Sequence, residues 1–210
     1  MTELPDFYET VAEEIFRKCQ PKEGLWIDLG AGPGRVGLAL AKQTTSTIVL
    51  LDPNEGALQE ALNKAQTTGL SKRVVAIKAQ AEAIPLEDNC IDLVVSRGSI
   101  FFWNDKAQGI REVYRILRPG GVAMIGGGLG MSYPEWARRE FTRRRYEEIK
   151  SQGPEAYRRF ILERSPQTFQ RLAKEAELVD FEVAGDGTDD PDSPQAGLGI
   201  WLRFRKENGP

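Results

Sequence analysis

Short apolar segments alternate with stretches of helical periodicity between positions 24 and 128 of this chain. The apolar segments read GLWIDLG, STIVLLD, RVVAIKAQ, IDLVVSRG and GVAMIGGG, and helical patterns fill most of the intervals between them. A strand that is buried on both faces is apolar throughout, and parallel neighbours need a long crossover, usually a helix. The alternation therefore predicts a parallel sheet that is covered by helices on both faces.

The pattern changes after Gly130. Residues 131–164 are helical, aromatic and basic, and the helix SPQTFQRLAKEAEL follows them. Two alternating segments, VDFEVAG and LGIWLRFRK, end the pattern, and the acidic stretch DGTDDPDSPQAG joins them without a helix, which favours an antiparallel pair. We therefore predict an α/β, doubly wound sheet of seven strands, mostly parallel with an antiparallel last strand. It belongs to a single domain of residues 1–210 with a helical lid inserted at 131–164.

Composition excludes several classes of function. The chain has no histidine, which rules out histidine-based triads and most zinc sites. Cys19 and Cys90 form no spaced motif, and DGTDDPDSPQAG lacks the ordered spacing of a calcium loop, so we predict no metal site. There is no apolar signal core or membrane-length segment, and the cysteine usage is typical of a reducing compartment. These features predict a cytoplasmic protein without a membrane partner, and they leave the oligomeric state open.

A basic stretch, RREFTRRR, occupies positions 138–145 and could suggest RNA binding. However, Glu147 and Glu148 lie four positions after Arg143 and Arg144, a spacing that suits ion pairs on one helix face. The formal net charge of the chain is −3, which provides no general attraction for nucleic acid. We interpret the stretch as a solvated helix face and predict no nucleic-acid partner.

The stretch DLGAGPGRVG, from Asp28 to Gly37, follows the first predicted strand and opens a helix. Ligands of open parallel sheets bind beyond the carboxyl ends of the strands, where glycines allow close approach to the backbone. Asp52 ends the second predicted strand and is placed to bind a ribose diol. From Gly32 the stretch even matches the dinucleotide fingerprint G-x-G-x-x-G. The loop could therefore hold a nicotinamide dinucleotide or a different adenosine-bearing cofactor.

Asp28 distinguishes these two possibilities. Its carboxylate lies at the mouth of the loop, where it would repel a pyrophosphate but attract a positive group. S-adenosylmethionine carries a sulfonium and an ammonium group, and it also has a ribose diol. The G-x-G-x-x-G match also begins one turn late, because the first strand is expected to end by Leu29. The residues favour S-adenosylmethionine as the cofactor.

Several segments resemble the motifs of class I S-adenosylmethionine-dependent methyltransferases. They are WIDLGAGPG, IVLLDPNEGALQEA, AQAEAIPLEDNCIDLVVSRGSIFFW and EVYRILRPGGVAMIGG. The resemblance implies a Rossmann-like sheet and methyl transfer to a small-molecule acceptor. SRGSIFFW together with IGGGLG resembles a subgroup of bacterial and archaeal methyltransferase-like proteins, for which we infer no substrate.

The resemblance also implies which residues bind the cofactor. The methionine end would be lined by Asp28, Gly30, Ala31, Gly32 and Gly34, and the ribose by Asp52, Pro53 and Asn54. Ala81 and Glu82 would flank the adenine; Ser96, Arg97, Gly98 and Ser99 would lie beneath the cofactor, and Tyr8 would cover it. For Arg97 we expect the carboxylate of the cofactor or Asp28 as a partner. An anionic acceptor and an outward, surface-paired orientation are the alternatives.

The sequence departs from the family pattern at two places. Gln80 stands where many relatives have an acidic residue, and Phe101-Phe102 stands where many have histidines. These departures put the adenine contact and any borrowed acceptor in doubt, and we assign no catalytic residue. The aromatic run that ends at Trp103 could wall a pocket or pack in the core. The other readings of the function are a non-catalytic cofactor-binding module and, less favoured, a nicotinamide-dependent oxidoreductase.

Overall fold

A computed structural model describes residues 3–185 and 199–207. The helices are α1 (Tyr8–Cys19), α2 (Arg35–Gln43), α3 (Glu55–Thr67), α4 (Lys106–Ile116), α5 (Glu135–Ser151), α6 (Pro154–Glu163) and α7 (Pro166–Glu175). The strands are β1 (Leu25–Leu29), β2 (Thr47–Asp52), β3 (Val74–Lys78), β4 (Ile91–Arg97), β5 (Leu117–Gly127), β6 (Phe181–Gly185) and β7 (Ile200–Arg205). A 3-10 turn spans Ile100–Phe102. The acidic stretch DGTDDPDSPQAG, interpreted above as a loop, lies outside the described residues.

The strands form one seven-stranded sheet in the order β3-β2-β1-β4-β5-β7-β6. β1 to β5 are parallel to one another, whereas β7 runs antiparallel to both β5 and β6. The predicted sheet is therefore confirmed, including its antiparallel last strand. The strand order reverses direction between β1 and β4, which opens a crevice at their carboxyl ends.

Both faces of the sheet are covered because successive side chains of a strand point to opposite sides. Trp26 of β1 packs with α1, α2 and α3, whereas its neighbour Ile27 packs with α4 and α7. Both residues are almost fully buried. This two-sided burial explains why the parallel strands are apolar along their whole length.

The start of β5 differs from the expectation. The apolar segment GVAMIGGG predicted a strand from Gly121, but α4 ends at Ile116 and β5 already starts at Leu117. Leu117 pairs with Ile91, yet Val122 is the partner of Leu93, so the residues between them bulge out of the ladder. Pro119 has no N–H to donate to a ladder, which suits it to such an irregularity.

Residues 131–164 contain α5 and α6, as the helical pattern predicted. Arg143 pairs with Glu147 at 2.8 Å, as expected. Glu140 forms ion pairs with both Arg143 and Arg144. Tyr133 anchors the start of this segment on the N-terminal residues, because its hydroxyl donates to the carbonyl of Pro5 at 2.9 Å. Within residues 3–185 and 199–207, no helix has the length and apolar character needed to cross a bilayer.

Candidate functional site

Two adjoining cavities lie at the carboxyl ends of β1, β2 and β4. The larger has a volume of about 440 Å³ and the smaller of about 260 Å³, and Gly30 and Arg97 line both. The predicted site residues in the larger cavity are Gly30, Asp52, Pro53, Ala81, Glu82, Arg97, Gly98 and Ser99. Those in the smaller cavity are Tyr8, Asp28, Gly30, Ala31, Gly32 and Arg97. The topology thus brings most of the predicted residues together in one elongated site.

Ser99 holds the glycine loop against the end of β4. Its hydroxyl donates to the Leu29 carbonyl at 2.9 Å and accepts from the Trp103 indole at 3.1 Å. The Ser96 hydroxyl lies 2.6 Å away, and because Ser99 has already used its only proton, Ser96 is the donor. Gly30 passes directly over this network at φ +70°, where a Cβ would overlap the Cβ of Ser99. Only glycine fits both the conformation and the space.

The backbone amides of the glycine loop are already hydrogen-bonded within the protein. Their acceptors are the Leu51 carbonyl for Gly30 and Ala31, Asp52 Oδ2 for Gly32 and the Ala31 carbonyl for Gly34, while Pro33 has no N–H. A pyrophosphate is normally bound by free amides at such a loop. From Gly30 to Gly34 the loop keeps none for it, which argues against a dinucleotide at this position.

Asp28 is buried at the floor of the smaller cavity, with 2% of its surface exposed. Its Oδ2 accepts from the Gly37 amide at 2.7 Å, a bond that caps α2, where the N-cap residue Gly34 has no side chain to do so. Burial raises the pKa of Asp28 from its ordinary 3.8 to about 7, and the negative charge of Asp52 acts in the same direction. The Gly37 amide and the Arg97 charge oppose this rise. A cation in the cavity would favour the ionised carboxylate.

Asp52 connects the loop to the next helix. Its Oδ2 accepts from the Gly32 amide and its Oδ1 from the Asn54 amide, both at 2.8 Å. A carboxylate oxygen has two lone pairs, so each oxygen can accept a further hydrogen bond. Because Asp52 also lines the larger cavity at the end of β2, a diol could donate to it there.

Glu82 occupies the far side of the larger cavity. Its Oε1 accepts from the amides of Asn104 and Asp105, at 2.6 and 3.2 Å, at the start of α4. Ala81 beside it is buried and apolar, and Gln80 also lines the cavity. Gln80 can both donate and accept, so a neutral amide is available at this wall of the cavity.

Arg97 separates the two cavities. Its Nε donates to the Gly128 carbonyl at 2.7 Å, and its guanidinium lies 4.3 Å from the ring centre of Phe7 and 5.5 Å from that of Tyr8. Its charge lowers the pKa of Asp28. The side chain is thus held over the site by the N-terminal aromatic residues.

Three predicted residues line neither cavity and instead support the site from beneath. Gly34 lets α2 approach α3, since a Cβ there would lie 2.7 Å from the Cβ of Ala61. Asn54 caps α3 by accepting from the Ala57 amide at 3.1 Å. Ser96 is fully buried in the Ser99 network.

Several lining residues were missed or left open by the sequence reasoning. The larger cavity is also lined by Leu29, Leu51, Ala79, Phe102, Trp103 and Asn104, and the smaller by Pro33, Arg35 and Val36. Phe102 is 85% exposed, so it walls the cavity rather than packing in the core. Arg35 lies 5.4 Å from the Tyr8 ring centre. Its position as the first residue of the helix after the loop was the available signal.

Comparison with known proteins agrees with this geometry. A family profile described as "Methyltransferase domain" matches residues 27–125. The chain is 34% identical over 116 residues to 2-methyl-6-phytyl-1,4-hydroquinone methyltransferase 1 of Oryza sativa, covering 55% of this chain and 33% of that protein. It is 31% identical over 101 residues to the ubiquinone/menaquinone biosynthesis C-methyltransferase UbiE of Escherichia coli, covering 47% and 40% respectively. The chain therefore spans about a third of the length of the first of these relatives.

A solved structure matches almost the whole chain. A Methanococcus maripaludis protein, assigned as an S-adenosyl-L-methionine-dependent methyltransferase, is 31% identical with a TM-score of 0.78. The match covers 97% of this chain and 87% of that protein. The YcgJ protein of Bacillus subtilis shares the fold at 16% identity and a TM-score of 0.63. Together with the occupied loop amides and the buried Asp28, these matches show that the chain belongs to the S-adenosylmethionine-dependent methyltransferases.

Proposed function

We propose that the chain transfers the methyl group of S-adenosylmethionine to a small-molecule acceptor. The observation that carries the proposal is the placement of two carboxylates in adjoining cavities. Asp28 lies in the smaller cavity and Asp52 in the larger one. This arrangement matches a ligand with a cationic group at one end and a ribose diol further along.

The residues present fit this cofactor. The larger cavity is within the range of about 300–1,000 Å³ that is usual for small-molecule sites. A Cβ at Gly32 or Gly98 would meet nothing within 4 Å, so the backbone is open to a ligand at both positions. Asp28 would face the ammonium and sulfonium groups, Asp52 the ribose, and Ala81 with Glu82 the adenine. When bound, the cofactor supplies an electrophilic methyl group.

The chain itself positions the two reactants, provides charged groups around them and excludes water from the site. Methyl transfer needs the acceptor atom in line with the bond that breaks, so orientation is the main contribution of the protein. Asp28 stabilises the positive end of the cofactor, and the charge of Arg97 opposes the rise in the pKa of this carboxyl group. Without histidine, a proton of the acceptor must pass to another group, such as a carboxylate, a tyrosinate or water.

An aromatic ring is the acceptor that best suits this site. Phe102 lines the larger cavity and is largely exposed, so its ring is free to stack on an aromatic acceptor. The relatives from Oryza sativa and Escherichia coli are named for hydroquinone methylation and for ubiquinone and menaquinone biosynthesis. In this proposal α5 and α6 form a lid that closes over the acceptor, within a single domain.

The proposal includes neither nucleic acid nor a membrane as a partner. The arginines of α5 are paired with acidic neighbours, which leaves little charge for phosphates. Cys19 and Cys90 are free thiols, which supports a reducing compartment such as the cytoplasm.

Methyl-labelled S-adenosylmethionine, incubated with the protein and an extract of its own cells, tests the proposal. A labelled small molecule should form with the parent protein and much more slowly with Asp52→Ala. The lost hydrogen bonds to a charged group should weaken cofactor binding by about 1.5–3 kcal/mol. Cofactor binding without any labelled product would favour the non-catalytic module instead.

A further inference from the structure

Arg164, which follows α6, is held between two aromatic rings. Its guanidinium carbon lies 3.7 Å from the ring centre of Phe101 and 4.0 Å from that of Phe160. Both distances are short enough for the two rings to pack against the guanidinium. The N–H groups at the edge of the guanidinium are the part that can donate hydrogen bonds to a polar ligand.

The hydrogen-bonding capacity of Arg164 is largely unused by the described residues. One terminal nitrogen donates to the Phe160 carbonyl at the long distance of 3.5 Å, and the same nitrogen lies 3.9 Å from the Glu163 carboxylate. The side chain is only 14% exposed, so water satisfies its donors only in part. Burial lowers the pKa of Arg164 to about 10, which still leaves it charged at neutral pH.

Tyr146 of α5 belongs to the same aromatic cluster. Its ring centre lies 6.1 Å from that of Phe160, in an edge-on arrangement. The residue is 7% exposed, and its hydroxyl is buried without a hydrogen-bond partner among the described residues. Burial raises the pKa of Tyr146 to about 12, with the Arg164 charge opposing the rise. The hydroxyl is therefore a protonated donor, and an unpaired donor in such a place calls for an explanation.

The cluster adjoins the cofactor cavity. Phe101 precedes Phe102, which lines the larger cavity. A Cβ at Gly127 would lie 3.9 Å from the Phe101 ring and 3.8 Å from the Gly98 amide, so this ring covers the ends of β4 and β5. One aromatic ring therefore separates the Arg164 guanidinium from the strand ends beside which the acceptor would bind.

We propose that Arg164 and Tyr146 bind an oxyanion, a carboxylate or a phosphate, carried by the methyl acceptor. The inference rests on the proposed function and specifies its substrate class as an anionic molecule. The edge of a guanidinium matches two oxygens of such a group, and the buried hydroxyl adds a neutral donor. A neutral ligand would leave the charge of Arg164 balanced only by the Glu163 carboxylate at the long distance of 3.9 Å.

Binding of simple anions to the full chain, saturated with S-adenosylhomocysteine, tests the inference. The probes are benzoate, its neutral counterpart benzamide, and inorganic phosphate, each followed by calorimetry. Benzoate or phosphate should bind and benzamide should not. Arg164→Met should weaken anion binding about tenfold or more, the scale of a charge-assisted pair. Arg164→Lys should recover only part of it, because a lysine has no two-pronged edge.

Two further variants separate binding from a purely structural role. Tyr146→Phe removes a hydroxyl that has no hydrogen-bond partner in the described part of the chain, so it should weaken anion binding while leaving the unfolding temperature unchanged or higher. Arg143→Met is the matched control on α5, since that arginine is exposed and paired with Glu140 and Glu147. It should bind the probes like the parent protein.

The outcomes distinguish this inference from the proposed function. If benzoate and phosphate do not bind, or bind no better than benzamide, the inference is overturned. The same follows if their affinity survives Arg164→Met. Affinity for S-adenosylhomocysteine, measured in every variant, checks the fold and the cofactor site separately. If the parent protein fails to bind S-adenosylhomocysteine, the proposed function fails, whatever the anions do.

Discussion

The proposed function places opposite requirements on the charge of Asp28. As a cap of α2 it needs only an oxygen to accept from Gly37, whereas as a partner of a cationic ligand it must be ionised. Its burial makes the ionised form unfavourable until the ligand arrives, which explains its raised pKa. In the ligand-free protein the ionised form of Asp28 therefore lowers the free energy of unfolding, and such a cost is common at functional sites.

Asp28→Asn should separate these two effects. The pKa of Asp28 is about 7 in the folded state, compared with the ordinary value of 3.8. The protonated Asp28 therefore contributes stability below pH 3.8, and this contribution is lost as the pH rises from 3.8 to 7. The neutral asparagine can still accept from Gly37, so it should raise the unfolding temperature at pH 8 clearly more than at pH 5. The same variant should bind S-adenosylmethionine more weakly. Thermal scans at both pH values and calorimetry measure the two effects, and unchanged affinity would refute the charge role.

Glycine substitutions can distinguish backbone strain from ligand contact. Gly32 and Gly69 have φ values of +52° and +75°, and a Cβ at either would meet nothing within 4 Å. Replacement by alanine should therefore lower the free energy of unfolding similarly, by about 1–2 kcal/mol. Only Gly32→Ala should also reduce the affinity for S-adenosylhomocysteine, because Gly32 lines the smaller cavity. Equal affinities would place the cofactor elsewhere.

At the scale of elements, the start of α1 and the helical insertion form one packed unit. The ring of Phe7 makes edge contacts with Tyr133 at 5.9 Å and with Phe141 at 5.7 Å, and it also lies under Arg97. The Thr10 hydroxyl lies 2.6 Å from the Leu129 carbonyl. Any opening of the 131–164 segment must therefore disturb the residue that holds Arg97 over the site.

Limited proteolysis tests this coupling. Phe7→Ala should speed cleavage within 131–164, because it removes the aromatic contacts that hold the segment down. S-adenosylhomocysteine should slow cleavage of the parent protein there. Leu162→Ala is a suitable control, since this leucine lies in the segment but is mostly exposed. Equal cleavage with and without ligand would mean that the segment is a fixed part of the core rather than a lid.

At the scale of the whole molecule, ligand binding should stabilise the fold. A ligand that binds only the folded state at about 100 times its Kd adds about 2.7 kcal/mol, or about 5–10 °C in Tm for a chain of this size. S-adenosylhomocysteine should produce such a shift and NADH should not, because the loop amides are already occupied. A shift with NADH alone would contradict the family assignment of the cofactor.

Local sequence patterns predict much of this architecture. Continuous apolar runs identify the parallel strands, because burial on both faces leaves no room for polar residues. The carboxyl ends of parallel strands meet at one edge, so Asp28 and Asp52 could be assigned to one site before any contact was known. The motif resemblance then supplied the positions between them.

Other features depend on contacts that no local pattern encodes. Nothing in the sequence indicates that Ser99 supports Gly30, or that β5 begins before its proline. The sequence also does not show that Gly34 and Asn54 support the loop without lining the site. The cluster of Phe101, Tyr146 and Arg164 joins segments that are far apart along the chain. Periodicity reports whether a side chain is buried, whereas its partner depends on how separate elements pack together. The anion site proposed here is therefore a property of the tertiary structure alone.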